Sequence, residues 1–352
     1  MNDTKKTILI DARTIEYSGI GRYLVNLLSN FEPNDSFNFE LLLNKPEPKF
    51  ANLKQHITDI LPYSLAEQTK LAKTIEPLKP DLVHFAHFSR PWRKLSMPAV
   101  TTIHDLTLLD YPAKDGFSLS SMLKRKSLKF GLKSILRSDV AIITPSHFVG
   151  RQIAKLRPEA DSKITTTHLG FDKTAHAKAA KPKRKLPKRF FLYVGNAFAH
   201  KNLEILVVAL DLDKTLQIVT VGDPKSGYDK FQHPRLHKLG RLSDGELAYL
   251  YKNAQALIFP SKSEGFGLPG LEAMAYGCPV ISSSASCLPE IYGDAALYFN
   301  PGSIDQLLDQ ISTLEARRDE LIKLGRLRAT EFSWQKTAKE TLAVYASALE
   351  KD

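Results

Sequence analysis

Two glutamates with seven residues between them, Glu264 and Glu272, bracket a glycine-bearing turn within residues 259–290, FPSKSEGFGLPGLEAMAYGCPVISSSASCLPE. The turn, Gly265-Phe266-Gly267-Leu268-Pro269, leads into Leu271-Glu272-Ala273-Met274-Ala275. Pro269 suits the first position of a helix, because its missing N–H would be unpaired there anyway. The N–H groups of Leu268, Gly270 and Leu271 are then expected to face a ligand, an arrangement that binds anions and phosphate above all. Gly265 and Gly267 let the backbone approach that ligand closely. Glu264 lies in the loop and Glu272 about one turn into the helix, so the two cannot share a helical face. They are placed to reach different parts of one extended ligand, a sugar at one end of a diphosphate and a ribose at the other. Lys201, in a loop beyond a strand end, is a mobile cation suited to the phosphates between them.

The elements around the turn position these groups. An apolar run of strand length, residues 256–259, precedes it. Gly277 and Pro279 stop the helix, and residues 280–282 read as the next strand, so the whole is a βαβ unit. Taken singly, each part has an ordinary account: a first-turn glutamate is favoured by the helix dipole, and a lone glycine loop is weak evidence. The combination is specific. With the Pro-Ser ahead of Glu264 and the Glu-Ala-Met-Ala-x-Gly-x-Pro-Val-Ile run after it, the stretch resembles the E-x7-E signature of retaining nucleotide-sugar glycosyltransferases of family four, which have the GT-B fold.

Composition bounds the alternatives. The 352 residues suffice for about two domains, each with its own core. No apolar run approaches the roughly 20 residues needed to span a bilayer, and the first residues lack the pattern of a signal peptide. Cys278 and Cys287 are the only cysteines, which fits a reducing cytoplasm and argues against a disulfide framework or a structural zinc site. The net charge of +11 is uneven. Residues 1–180 carry 26 bases and 18 acids, residues 181–189 six bases and no acid, and residues 190–352 carry 17 bases and 20 acids. No recognition helix, zinc finger or aromatic RNA-binding motif accompanies the charge, so an anionic membrane surface or anionic acceptor is the expected partner rather than nucleic acid.

In chain order, a strand at residues 8–11 runs into Ser18-Gly19-Ile20-Gly21-Arg22-Tyr23 and then a helix with apolar residues Leu24, Leu27, Leu28 and Phe31. Strands are expected at residues 39–43, 81–85 and 99–103, and one helix at residues 64–78. His104 follows the third of these strands, at the ligand-binding edge of an open α/β sheet. His84 reads as a core residue, and His87 lies just beyond its strand. Residues 117–137 read as a long helix carrying Lys124, Arg125, Lys126, Lys129, Lys133 and Arg137, with apolar surface from Leu119, Met122, Leu123, Phe130, Leu132, Ile135 and Leu136. Its charge makes either a solvated face or a membrane- or acceptor-binding one. Residues 181–189 are the expected basic linker between an N-terminal domain, 1–180, and a C-terminal domain, 190–334. The last helix, 335–352, is assigned with the first domain.

The resemblance covers nearly the whole chain and is sharpest over residues 190–300. It implies two Rossmann-like α/β domains facing each other across a cleft, with a terminal helix crossing back to the N-terminal domain. It places Gly19 and Gly21 near the donor diphosphate and acceptor, Gly170-Phe171-Asp172 at the cleft, and His104 against the transferred sugar. Glu264 is assigned to the sugar hydroxyls and Glu272 to the ribose. Phe266, Gly267 and Leu268 line the donor, and Arg241 and Leu242 border the nucleotide base. Family members commonly carry an arginine just after the strand that Phe190 begins; here that position is Asn196, so one phosphate contact is expected to be absent or to be supplied by another base such as Arg241 or Arg22. The implied reaction is metal-independent hexosyl transfer with retention, the sugar leaning to mannose, from a nucleotide-sugar to a glycan or lipid-linked acceptor in surface polysaccharide or lipopolysaccharide assembly. No cofactor beyond the donor is expected, and the place of action is the cytoplasm, with peripheral attachment at the inner face of the plasma membrane. A nucleotide-sugar 2-epimerase and a non-catalytic nucleotide-sugar binder are the competing readings.

Overall fold

The computed structural model describes residues 5–32, 36–111, 119–171 and 178–350. Asp172 and the expected helix start at Phe117 lie outside these residues. The chain divides into two compact units, the first comprising residues 1–170 and 334–352, the second residues 171–333. The basic stretch 181–189 therefore lies inside the second unit.

The first unit is a seven-stranded sheet in the order β3-β2-β1-β4-β5-β6-β7, with every neighbouring pair parallel. Its elements are β1 (Lys6–Asp11), α1 (Ser18–Ser29), β2 (Phe37–Leu43), β3 (Lys54–Ile57), α2 (Leu65–Thr69), α3 (Leu71–Ile75) and β4 (Leu82–Phe85). They continue with β5 (Ala99–Thr102), α4 (Thr107–Asp110), α5 (Leu119–Ser138), β6 (Ala141–Thr144), α6 (His147–Leu156) and β7 (Ile164–Thr166). Strands covered on both faces read as continuous apolar runs, and β4, β5 and β6 are buried at every residue. Strand β3, KQHI, is a half-exposed edge strand without such a run, which is why apolar pattern gives no sign of it. The single helix expected over 64–78 is instead two short helices broken at Lys70.

The second unit is a six-stranded sheet in the order β10-β9-β8-β11-β12-β13, again parallel throughout. It runs β8 (Phe191–Val194), α7 (Leu203–Leu212), β9 (Ile218–Val221), β10 (Leu236–Lys238), α8 (Asp244–Asn253), β11 (Leu257–Phe259) and α9 (Leu268–Ala275). The rest is β12 (Val280–Ser283), α10 (Leu288–Tyr292), β13 (Ala296–Phe299) and α11 (Ile304–Ala329). Its core joins Tyr193, Leu206, Leu210, Ile218, Ile258, Ile281 and Leu314. Ser243 caps α8 through a reciprocal capping box with Glu246.

The last helix, α12 (Trp334–Glu350), returns to the first unit as expected. Thr337 Oγ1 donates to the carbonyl of His168 at 2.7 Å, and the Tyr345 hydroxyl meets His84 Nδ1 at 2.6 Å. His84, fully buried, also meets Thr102 Oγ1 at 2.8 Å; it is the packed core residue that its strand position implies. Two Rossmann-like parallel α/β units with a returning C-terminal helix are thus the observed architecture.

Candidate active site

The carboxyl ends of β8 and β11 carry the charged residues of the second unit. Lys201 Nζ and Glu264 Oε1 lie 2.6 Å apart, with side chains 18% and 12% exposed. Two independent supports hold that pair. Asn202, in the left-handed region at φ 58°, is buried and donates from Nδ2 to the carbonyls of Pro260 at 3.1 Å and Pro301 at 2.8 Å. It therefore fastens the loop bearing Lys201 to the ends of β11 and β13. Glu264 donates its backbone N–H to Ser286 Oγ at 3.1 Å, and its carbonyl accepts from Cys287 Sγ at 3.3 Å. The sequence reading does not single out Asn202; an Asn ahead of a helix that tolerates positive φ is its one local sign.

Helix α9 begins at Leu268, one residue before the expected start, with Pro269 at its second position and Gly267 as N-cap. Gly267 has φ +97°, and a Cβ there would sit 2.4 Å from the Tyr292 hydroxyl. That hydroxyl donates to the Gly267 carbonyl at 2.6 Å, and Gly270 is pressed against the same ring, its notional Cβ 2.3 Å away. Tyr292 thus fixes the glycine turn, and both glycines are required by close packing as much as by a ligand. One expected donor is already engaged: the Gly270 N–H bonds the Gly267 carbonyl at 3.1 Å. Phe266 is buried, its ring edge-on to Phe332 at 5.7 Å, while Leu268 is buried only in part.

Glu272 is 4% exposed on α9, and its Oε2 accepts from the Tyr251 hydroxyl of α8 at 3.0 Å. Tyr251 is a partner that no spacing rule reveals, since it comes from another helix 21 residues earlier. Asn196 Oδ1 accepts from the Phe198 N–H at 3.2 Å, so its side chain shapes the loop after β8. Arg241, expected as a substitute phosphate base, is exposed and paired with Asp223 at 2.7 Å. Leu242 beside it is half-buried.

In the first unit, Gly19 and Gly21 do not form a loop: both lie in the first turn of α1, which begins at Ser18. A Cβ at Gly21 would meet the Ile15 carbonyl at 2.0 Å, whereas Gly19 has open space. His104 follows β5, half-buried, with its ring edge-on to Tyr23 of α1 at 4.8 Å. Its Nε2 lies 3.0 Å from the Ala86 carbonyl. A carbonyl only accepts, so Nε2 carries a proton, and burial pushes the imidazole pKa down. The neutral ring then offers Nδ1 as an acceptor. His87 stacks parallel to His104 at 6.3 Å and is pushed down to about 3 by burial and by that neighbour.

Of the two parallel α/β units, the second carries a lysine–carboxylate pair and a glycine-capped helix at the sheet edge where open α/β sheets bind ligands. Residues 17–175 match the family model described as Glycosyltransferase Family 4, and residues 175–328 match Glycosyl transferases group 1. The chain belongs to this family of glycosyltransferases. It is 27% identical to the O-antigen chain mannosyltransferase B of Escherichia coli over 96% of this chain and 99% of that protein. It is 29% identical to the O-antigen chain mannosyltransferase RfbU of Salmonella typhimurium over 60% of this chain and 62% of that one. A sucrose-phosphate synthase from Thermosynechococcus elongatus shares the fold, with TM-score 0.76, 20% identity and coverage of 99% and 100% of the two chains. So does Anabaena HepE, solved with UDP-glucose, at TM-score 0.72, 15% identity and coverage of 97% and 99%.

Proposed function

We propose that this glycosyltransferase moves a hexose, mannose, from a nucleotide-diphosphate donor to a glycan or lipid-linked acceptor in surface polysaccharide assembly, with retention of anomeric configuration and without a metal ion. The observation that carries the reading is the Lys201–Glu264 pair at 2.6 Å, set at the sheet edge that also holds the start of α9. The O-antigen mannosyltransferases among its relatives supply the sugar and the setting.

In this account the donor diphosphate takes Lys201 from Glu264, and the freed carboxylate accepts from hydroxyls of the sugar. Charge-assisted hydrogen bonds of this kind are the strong ones. Lys201 and the N–H groups opening α9 then stabilise the charge that develops on the leaving diphosphate. Glu272, held by Tyr251, accepts from the ribose. No side-chain nucleophile is assigned; the acceptor hydroxyl attacks from the face the diphosphate leaves, and a phosphate oxygen takes its proton. His104 contributes a neutral acceptor, Nδ1, to the sugar. The basic helix α5 serves as a peripheral contact with an anionic bilayer; among the described residues no helix is long and apolar enough to cross a membrane.

A thermal-shift screen against GDP-, UDP- and ADP-sugars tests the donor, because a ligand binding only the folded state raises Tm. Mannose as the sugar predicts the largest shift with a mannose donor. Turnover in chelator tests the metal claim: loss of activity restored by one divalent ion would contradict it.

A further inference from the structure

Tyr63 stands in the left-handed backbone region, φ 62°, which aromatic residues rarely occupy. Such a conformation persists only where its surroundings over-determine it, and it collects at functional sites. The surroundings here form a buried ionic scaffold that the donor chemistry does not use. Arg13 grips Asp11 with Nε and Nη2, at 2.8 and 2.7 Å, and reaches Glu67 Oε1 with Nη2 at 3.0 Å. Its Nη1 donates to the Ile60 carbonyl at 3.1 Å, holding the base of the loop. Ser89 Oγ donates to the same Glu67 oxygen at 2.7 Å and accepts the Tyr63 N–H at 3.0 Å. Arg13, Glu67 and Ser89 are all buried. A buried ion network of this kind adds little net stability and serves best to fix one geometry.

What it fixes is an exposed aromatic ring. Tyr63 keeps 53% of its surface in solvent while its hydroxyl lies 3.2 Å from His87 Nδ1 and its ring stands edge-on to His87 at 5.5 Å. Tyr17 and Leu61 are exposed on the same two connections, those leaving β1 and β3, and Leu65 is exposed at the start of α2. His87 in turn stacks on His104. A rigid aromatic face with a polar rim, separated by the His87 ring from the histidine assigned to the transferred sugar, matches the apolar face and hydroxyl edge of a pyranose.

We propose that Tyr63 is the platform on which the acceptor's terminal sugar ring stacks, held in place from behind by the buried His87. This rests on the glycan-acceptor reading above. The burial of its hydroxyl end, with Tyr17, Glu67 and Asp105 nearby, pushes the phenol pKa up, so the ring stays neutral.

The test compares wild type with Tyr63→Ala, Tyr63→Phe and Tyr63→Gly, using methyl α-mannoside and α-linked mannobiose as acceptor probes. Loss of the ring in Tyr63→Ala raises the acceptor KM about tenfold and leaves the donor KM and the rate of donor hydrolysis unchanged. Tyr63→Phe keeps the platform and the acceptor KM. Tyr63→Gly, which suits the backbone conformation, raises the acceptor KM as Ala does while retaining Tm, so misfolding cannot account for the loss. An unchanged acceptor KM in Tyr63→Ala, or an equal rise in both KM values, overturns the proposal. Wild type that hydrolyses donor but transfers to neither probe also counts against the platform. Wild type that neither transfers nor hydrolyses any donor overturns the parent reading, and this inference with it.

Discussion

Lys201 Nζ sits 2.6 Å from Glu264 Oε1, both largely shielded from solvent, so the cation proposed for the diphosphate is held by the carboxylate proposed for the sugar. Donor binding is then an exchange of anions on one lysine. Glu264→Gln removes the competitor and the sugar contact together. It leaves affinity for nucleoside diphosphate equal to wild type or higher, and lowers kcat with the full donor by about 10²-fold or more. Glu272→Gln, at the other end of the ligand, weakens nucleoside diphosphate binding by about tenfold. Calorimetric titration of both variants with the diphosphate separates the two roles; equal losses would contradict the assignment.

Gly267 tests the turn itself. Its φ of +97° and the Tyr292 hydroxyl 2.4 Å from the notional Cβ leave no room for a side chain. Gly267→Ala should cost about 2–4 kcal/mol of stability, from left-handed strain and overpacking together, and weaken the diphosphate as α9 shifts. Chemical denaturation measures the first effect. A stability loss below about 1 kcal/mol would mean the turn adjusts freely.

Much of this was legible in the sequence. The βαβ unit at residues 256–282 and the strands preceding His104 and Lys201 follow from apolar runs and their stops, whereas the return of the last helix follows only from the family resemblance. Two of the edge strands, β3 and β10, KQHI and LHK, carry too little apolar pattern to be seen. The Gly19–Gly21 segment is expected ahead of the helix, as a glycine-rich turn, yet it lies inside α1, where the close approach of Ile15 makes Gly21 necessary. Partners that arrive from distant chain segments, Tyr251 on Glu272 and Ser89 on Tyr63, leave no local trace.

Stability should depend on pH through two buried histidines. His84, packed against Thr102 and Tyr345, and His87, packed against Tyr63, Ser89 and His104, are both pushed down to about 3, by burial first. Their folded pKa lies below the unfolded value, so the unfolded chain binds the extra protons. Stability is therefore full above about pH 6.5 and is lost as pH falls from there toward 3. By about pH 5 each histidine accounts for about 2 kcal/mol of the loss. His87→Gln should remove one of the two shares. Urea denaturation across the pH series measures it, and an identical pH slope in wild type and variant would show that His87 titrates normally.

The proposed membrane attachment rests on α5. Lys126, Lys129, Lys133 and Arg137 are exposed along it, with Phe130 68% exposed among them, while Leu132, Ile135 and Leu136 face the core. Each base near an anionic bilayer contributes about 1 kcal/mol at low salt. Sedimentation with anionic vesicles should therefore retain the protein and with neutral vesicles should not, and added salt should weaken the retention. Replacing Lys126, Lys129 and Lys133 with Glu should abolish it; unchanged binding would make the helix a solvated face.

The anomeric configuration of the first product decides the central claim. NMR of a reaction between an α-linked nucleotide-mannose and methyl α-mannoside should show a new α-mannosidic linkage forming in step with release of nucleoside diphosphate. A β-linked product, or a donor sugar epimerised without any linkage formed, would contradict retaining transfer.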